Sequence, residues 1–354
     1  MKFFTFTKAG RNWNEDRCYV CNNFGFVLDG ATSLFEQKFS NFSTDAEWYS
    51  NWWKEYLIKN LPNTKKTIKE IVRKGIVDVT SAYTKLSNGE VVKDFPSSTI
   101  SVFRVVEENI EYFCLGDSPI LFETKTNYAF SVCKTDLILL DEINKCIIED
   151  RANKANIDYI FAREQFSEFI NEGRKRKNSQ NGYYILADFP DAVNYALIGI
   201  VPKNLIKKII ILSDGYSQIY EVFHCVHSKK LITKINSEKD VQKFYNKLFK
   251  LQEKDKKCNK FLRFKVRDDS TLVYYEIYVN FTFFKQIKIF LLYYFVFFWN
   301  FPSFLCTTKP TSKFSLNFLT FASASSFVKK LVITRSAPSR LICQRLLTLS
   351  KTTL

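Results

Sequence analysis

The chain has 354 residues, 46% of them apolar and 25% charged, with ten Gly and eight Pro. These proportions suit one large or two modest globular domains and exclude a disordered, collagen-like or solenoid-repeat chain. The net charge is +16, but ten Lys or Arg and no Asp or Glu follow Glu276, so residues 1–276 hold only +6 and the pI alone makes no case for nucleic acid.

In chain order, Cys18–Val20 and Gly25–Leu28 read as short strands around the turn residues Asn22-Asn23. Thr44 to Leu61 reads as a helix, with Thr44 and Glu47 as a capping box and Pro62 as its stop. A second helix is expected from Thr64 to Leu86, with Ile68, Ile71, Val72, Ile76, Val79 and Tyr83 on one face. Ser98–Val106, Ile110–Leu115 and Ile120–Glu123 are rich in β-branched and aromatic residues and read as an antiparallel meander. Leu137–Ile148 is ambiguous. Ile157–Asn171 reads as a helix, Glu172–Gly182 as a basic loop, Tyr183–Leu186 as a strand and Asp191–Leu197 as a short helix. Lys207–Leu212 reads as a strand, Ser237–Lys250 as an amphipathic helix and Ser270–Tyr278 as a final strand. This order predicts an α+β sandwich rather than a doubly wound parallel sheet.

Nine cysteines without a paired zinc-finger spacing, after a start that turns polar within a few residues, point to a reducing cytoplasm. Cys18 and Cys21 read as ordinary strand cysteines. His224 and His227, the only histidines, give little support to a Ser-His-Asp triad.

Four acidic residues share one context. Asp29 follows the apolar run FGFVL, Asp117 sits in CLGDSP, Asp214 follows KKIIIL and Asp268 precedes STLVYY. A carboxylate at the end of an apolar strand is costly to desolvate. Several such carboxylates converging need a cation, and oxygen-only ligation suits Mg²⁺ or Mn²⁺. Each Asp-Gly taken alone is a common turn; the recurrence is what points to a metal site at a sheet edge.

The ordered set Arg11-Asn-Trp-Asn-Glu15-Asp16, Val27-Leu-Asp29-Gly30-Ala-Thr, Ser97-Ser98-Thr99, Leu115-Gly116-Asp117-Ser118, Leu212-Ser-Asp214-Gly215 and Asp268-Asp269-Ser-Thr271 resembles the PP2C (PPM) metal-dependent serine/threonine protein phosphatases, in particular their short bacterial members. The resemblance spans about residues 1–278 and implies an αββα sandwich of two antiparallel sheets flanked by helices. It implies that Asp29 bridges two Mn²⁺ or Mg²⁺ ions, that the Gly30 carbonyl binds one of them, and that Asp214 and Asp268 complete the shell of the other. By the same resemblance Glu15 and Asp16 hold metal-bound waters, Arg11 binds phosphate, and Asp117 holds a third, weaker ion. Thr99 and Ser118 are expected to brace the strands. Ala31 stands where many members have a His, so a general acid is missing there. Asp269 replaces a family Asn and adds negative charge. Arg174-Lys-Arg-Lys177 falls where members carry a variable flap, and reads as a solvated loop or an attractor of phosphorylated substrates.

The implied partners are a phosphoprotein substrate and a cognate Ser/Thr kinase, with no nucleic acid. A small-molecule phosphohydrolase and a non-catalytic phospho-sensing module on the same fold are the rival readings. Residues 279–354 form a basic, Phe-rich extension outside the resemblance. Ile289–Trp299 is an unbroken apolar run of eleven, so 285–306 is a weak membrane-anchor candidate. A packed or disordered extension, or translation past an original stop, are the other readings of that stretch.

Overall fold

A computed structural model describes residues 1–35 and 37–277. The extension anticipated over 279–354, with its membrane-anchor candidate, lies outside the described residues. No described helix is long and apolar enough to cross a membrane.

The chain runs β1 (Lys2–Lys8), β2 (Arg17–Val20), β3 (Phe24–Ala31), α1 (Asp45–Asn60), α2 (Ile68–Leu86), β4 (Ser97–Val106), β5 (Asn109–Leu115), β6 (Ile120–Thr124) and β7 (Ala129–Val132). It continues through α3 (Asp136–Ala155), α4 (Tyr159–Gln165), α5 (Ser167–Arg174), β8 (Leu197–Pro202), β9 (Ile206–Leu212), α6 (Asp214–Glu221), α7 (Ser228–Lys234), α8 (Glu238–Lys254) and β10 (Ser270–Glu276). Two five-stranded sheets result, ordered β1-β10-β9-β6-β7 and β2-β3-β4-β5-β8. Every pairing within them is antiparallel.

Period-two geometry explains why the central strands read as unbroken apolar runs. In β9, Ile209 and Ile211 join Val27, Phe103, Val273 and Tyr275 in the core between the sheets. The alternate residues Ile210 and Leu212 point the other way and pack with Tyr216, Leu231 and Leu248 of α6, α7 and α8. On the second sheet Phe26 and Leu28 face Tyr49, Trp53, Ile76 and Val79 of α1 and α2. Both faces of both sheets are therefore covered, which makes four layers, helix, sheet, sheet, helix. Each fully buried side chain of this kind contributes about 1.5–3 kcal/mol of transfer free energy.

Several local readings are corrected. β6 does not continue a meander from β5; the turn at Gly116-Asp117 carries the chain into the other sheet, where β6 pairs with β9. Helix α2 starts at Ile68, because the reciprocal capping box is Thr67 with Glu70. At α1 only half of the expected box forms. Thr44 caps the Glu47 N–H, while the Glu47 carboxylate pairs with Arg17 at 3.0 Å. The long helix expected over 157–171 breaks at Phe166 into α4 and α5. Tyr183–Leu186 forms only isolated bridges, and a 3₁₀ turn at Pro190–Tyr195 gives way to β8. The ambiguous stretch is helix α3.

Candidate active site

The sheet edges deliver the four strand-end carboxylates to one place. Asp29 lies near the end of β3, opposite Thr99 of β4. Asp117 lies in the crossover between the sheets, Asp214 opens α6 directly after β9, and Asp268 precedes β10. Asp29, Gly30, Asp117, Asp214, Asp268 and Arg11 line one cavity of about 370 Å³. The backbone N–H of Asp214 donates to Asp29 Oδ2 at 3.2 Å, so the helix start faces the carboxylate. Two glycines permit this crowding. Gly116 has φ +95°, a left-handed conformation costly to other residues, and a Cβ on Gly215 would lie 1.9 Å from the Asp269 carbonyl oxygen. Thr99 and Ser118 are buried and share a hydroxyl hydrogen bond of 2.5 Å beneath Asp117, which is the bracing role expected of them.

Glu15 and Asp16 sit behind the cavity and have opposite fates. Both Glu15 oxygens accept threonine hydroxyls, Thr44 and Thr32, each at 2.7 Å. Asp16 is 2% exposed, and neither of its carboxylate oxygens has a hydrogen-bond partner. The hydroxyls of Thr271 and Ser213 are its nearest donors and favour its charged form, but neither reaches it in hydrogen-bond geometry. Burial, and then the charge of Asp269, raises the Asp16 carboxyl well above the ordinary range. Asp29 is raised by burial and then by Asp214, Asp16 and Asp268. Asp117 is raised by burial and then by Asp214 and Asp141. Asp214 is raised by burial and then by Asp268. The pattern is one of like charges collected with too little compensation.

Sequence reasoning missed Asp141, Arg163 and Lys265 here, while Arg174 belongs to the basic run it read as a solvated loop or an attractor of phosphorylated substrates. Asp141 of α3 lines the cavity, with its carboxyl pushed up to about 7, by burial first. Arg163 and Arg174, of α4 and α5, also line it; Arg163 Nε is buried without a partner. Lys265 lines it too and pairs with Asp268 at 2.8 Å. Nothing in the local sequence around Asp141, Arg163 and Lys265 marks them, since a helix or loop packed over the sheet edge puts them there. The basic run 174–177 is not simply a solvated loop. Arg174 Nη2 donates to the Thr32 carbonyl at 2.6 Å, and Lys177 pairs with Asp94 at 2.7 Å. The extra charge of Asp269 serves the backbone: its oxygens accept the N–H groups of Gly10 at 2.7 Å and Glu15 at 2.6 Å. His224 and His227 are exposed and are not among the residues lining the cavity, and Cys18 and Cys21 are unbridged thiols. Among the described residues, no group of three or more His, Cys, Asp or Glu is already arranged to hold a metal ion.

Two antiparallel sheets lie face to face with helices outside and an acidic cavity at the strand ends. The model of the family described as Protein phosphatase 2C matches residues 10–263, and the chain belongs to that family. It is thereby an enzyme of the protein-serine/threonine phosphatase type. Solved structures similar to it include the serine/threonine phosphatase PstP/Ppp of Mycobacterium tuberculosis, at 12% identity, covering 78% of this chain and 99% of that one with a TM-score of 0.47. Stp1 of Staphylococcus aureus is similar at 13% identity, covering 78% and 94% with a TM-score of 0.46. The catalytic domain of PstP in complex with 2 manganese ions is similar at 12% identity, covering 77% and 96% with a TM-score of 0.43. Among curated proteins none matches.

Proposed function

We propose that this chain hydrolyses phosphoserine and phosphothreonine in protein substrates at the acidic cavity, with two Mn²⁺ or Mg²⁺ ions and a third, weaker one as cofactors. The observation that carries this reading is Asp16, whose carboxylate is buried, unpartnered and within electrostatic reach of Asp214 and Asp269. An orphaned carboxylate beside other raised carboxylates fits a hard cation, and the donor set is all oxygen. Asp29, the Gly30 carbonyl, Asp214 and Asp268 would hold the principal ions, Asp117 the weaker one, and Asp16 with Glu15 their water shell. Bound there, the ions supply Lewis-acid activation of water near neutral pH and neutralise phosphoryl charge.

The chain's own residues do the rest. Arg11 is exposed at the cavity wall, its guanidinium 5.8 Å from the Trp13 ring, and offers a planar fork to the phosphoryl oxygens. Arg163 and Arg174 add positive charge to the cavity lining, from helices rather than from the sheet edge. Asp214 orients Asp29 through its backbone N–H. Glu15, tied to Thr32 and Thr44, holds the end of β3 against the start of α1. No side chain takes the place of a family histidine at Ala31, so the departing serine or threonine oxygen takes its proton from water. The reaction that supplies the substrate is a Ser/Thr kinase reaction, which makes a cognate kinase the expected partner.

The test is phosphate release by the full chain from a phosphothreonine peptide, with Mn²⁺, with Mg²⁺ and with EDTA, beside Asp29→Asn. Metal-dependent release lost in Asp29→Asn by at least about 10³-fold is the expected result. Turnover that survives EDTA, or an Asp29→Asn protein as fast as wild type, would overturn the site. Faster release from p-nitrophenyl phosphate and sugar phosphates than from any peptide would move the chain to the small-molecule hydrolases.

A further inference from the structure

We infer that Lys265 is a tethered cation that competes with divalent metal for this cavity, so that the chain binds its ions more weakly than its carboxylates imply. The inference rests on the proposed metal-binding function. Lys265 lies in the segment between α8 and β10, and its ammonium donates to Asp268 Oδ1 at 2.8 Å. The same oxygen accepts the Asp269 backbone N–H at 3.0 Å. Both acceptor directions of Oδ1 are thereby used, and Oδ2 alone remains open on a residue assigned to an ion.

The ammonium is held in place by the segment that carries it. Arg263, two residues earlier and 2% exposed, pairs with Asp255 at 2.8 Å and donates to the carbonyls of Phe261 and Val266. That clamp spans Lys265 and holds its backbone, so its half-buried side chain is presented to the site. Lys265 lines the main cavity and a smaller space of about 90 Å³ beside it, and Asp141, Asp214 and Asp268 line both. Its charge therefore stands at the junction of the acidic wall, where an incoming ion must also stand. A fixed positive charge a few ångströms from a divalent ion weakens binding on the order of tenfold even with water-like screening. A positive charge outside the site would not engage a ligand oxygen; this one does.

The test uses the full chain stripped of metal, and Mn²⁺ as the probe, titrated by calorimetry and by electron paramagnetic resonance of the free ion. Lys265→Gln, which keeps a donor and loses the charge, is expected to bind Mn²⁺ about tenfold more tightly than wild type. Lys265→Arg, which keeps the charge, is expected to stay within about threefold of wild type. The melting temperature of stripped Lys265→Gln is expected to fall, and saturating Mn²⁺ to raise it by more than it raises wild type. Equal or weaker Mn²⁺ affinity in Lys265→Gln would overturn the inference alone. Absence of Mn²⁺ binding in every form would overturn the metal-binding function and the inference with it. Should Lys265→Gln fail to fold without metal, rescue of folding by Mn²⁺ supports the inference and failure of rescue overturns it.

Discussion

Asp16 and Asp29 show what this site costs the fold. Asp16 is a buried carboxylate with no hydrogen-bond partner, Asp29 accepts the Asp214 backbone N–H, and burial together with neighbouring carboxylates raises the pKa of each, which is destabilising. Such groups persist where activity requires them, at the expense of stability. Asp29→Asn should therefore act in opposite directions on two measurements. It should abolish phosphatase activity, yet the metal-stripped variant should melt a few degrees higher than stripped wild type, because an amide carries no charge to repel Asp214. A lower melting temperature in the stripped variant would show that Asp29 is better compensated than its neighbours imply. Gly116 is the second residue on which the site depends. Its φ of +95° and a Cβ that would sit 2.8 Å from Thr99 leave no room for alanine. Gly116→Ala should cost about 2–3 kcal/mol in urea unfolding and also displace Asp117; a loss under about 0.5 kcal/mol would contradict this.

Elements are tied together by a small number of buried polar anchors. Arg104 of β4 is 1% exposed and reaches the turn between α1 and α2. It donates to the carbonyls of Leu61, Asn63 and Lys66, at 3.1, 3.1 and 2.8 Å, and pairs with Glu111 of β5 at 2.6 Å. One side chain thus satisfies the end of a helix, a turn and the neighbouring strand. Arg104→Met keeps the apolar stem and removes every donor. It should cost about 3 kcal/mol, read as a shift of the urea midpoint at constant slope. Helix starts follow the same logic. Thr67 and Glu70 satisfy each other's backbone, so α2 begins where that box closes and not at the first polar residue after Pro62.

At the scale of the whole molecule, the acidic cavity sets how stability responds to pH when metal is removed. The carboxyl groups of Asp16, Asp29, Asp117, Asp141 and Asp214 are raised, with burial as the leading cause in each and Asp141 reaching about 7. A carboxyl whose folded-state pKa lies above its unfolded value binds protons more tightly when folded. Stability is then greatest below the unfolded value, near 4, and falls as pH rises through the folded values. The stripped protein should melt higher at pH 5 than at pH 8. Asp141→Asn should reduce the difference, and Mn²⁺ should shrink it further at pH 8. Melting temperatures that rise from pH 5 to pH 8 in EDTA would contradict the charge crowding described for this cavity.

Much of this was legible in one dimension. The runs FGFVL, KKIIIL and STLVYY announce strands buried on both faces, and both faces of the corresponding β3, β9 and β10 are indeed covered. The carboxylates beside those runs were legible for the same reason, since a charge next to an apolar strand stands out from its neighbours. β1 was missed although Phe4 and Phe6 alternate with Thr5 and Thr7, because seven residues at a chain start give a weak pattern. Breaks such as that at Phe166, and the crossing of β6 into the other sheet, follow from packing rather than from propensity. Asp141, Arg163 and Lys265 were not legible as cavity residues, and Arg174 only as part of a basic run. The first three sit in helices or loops of ordinary composition, and their place at the cavity comes from packing against segments far away in sequence, as Arg174 packs against Thr32. The amino-acid order determines which segments must be buried, because burial follows from local apolar periodicity. Which charges then meet depends on how those buried segments stack, and only the tertiary structure decides that.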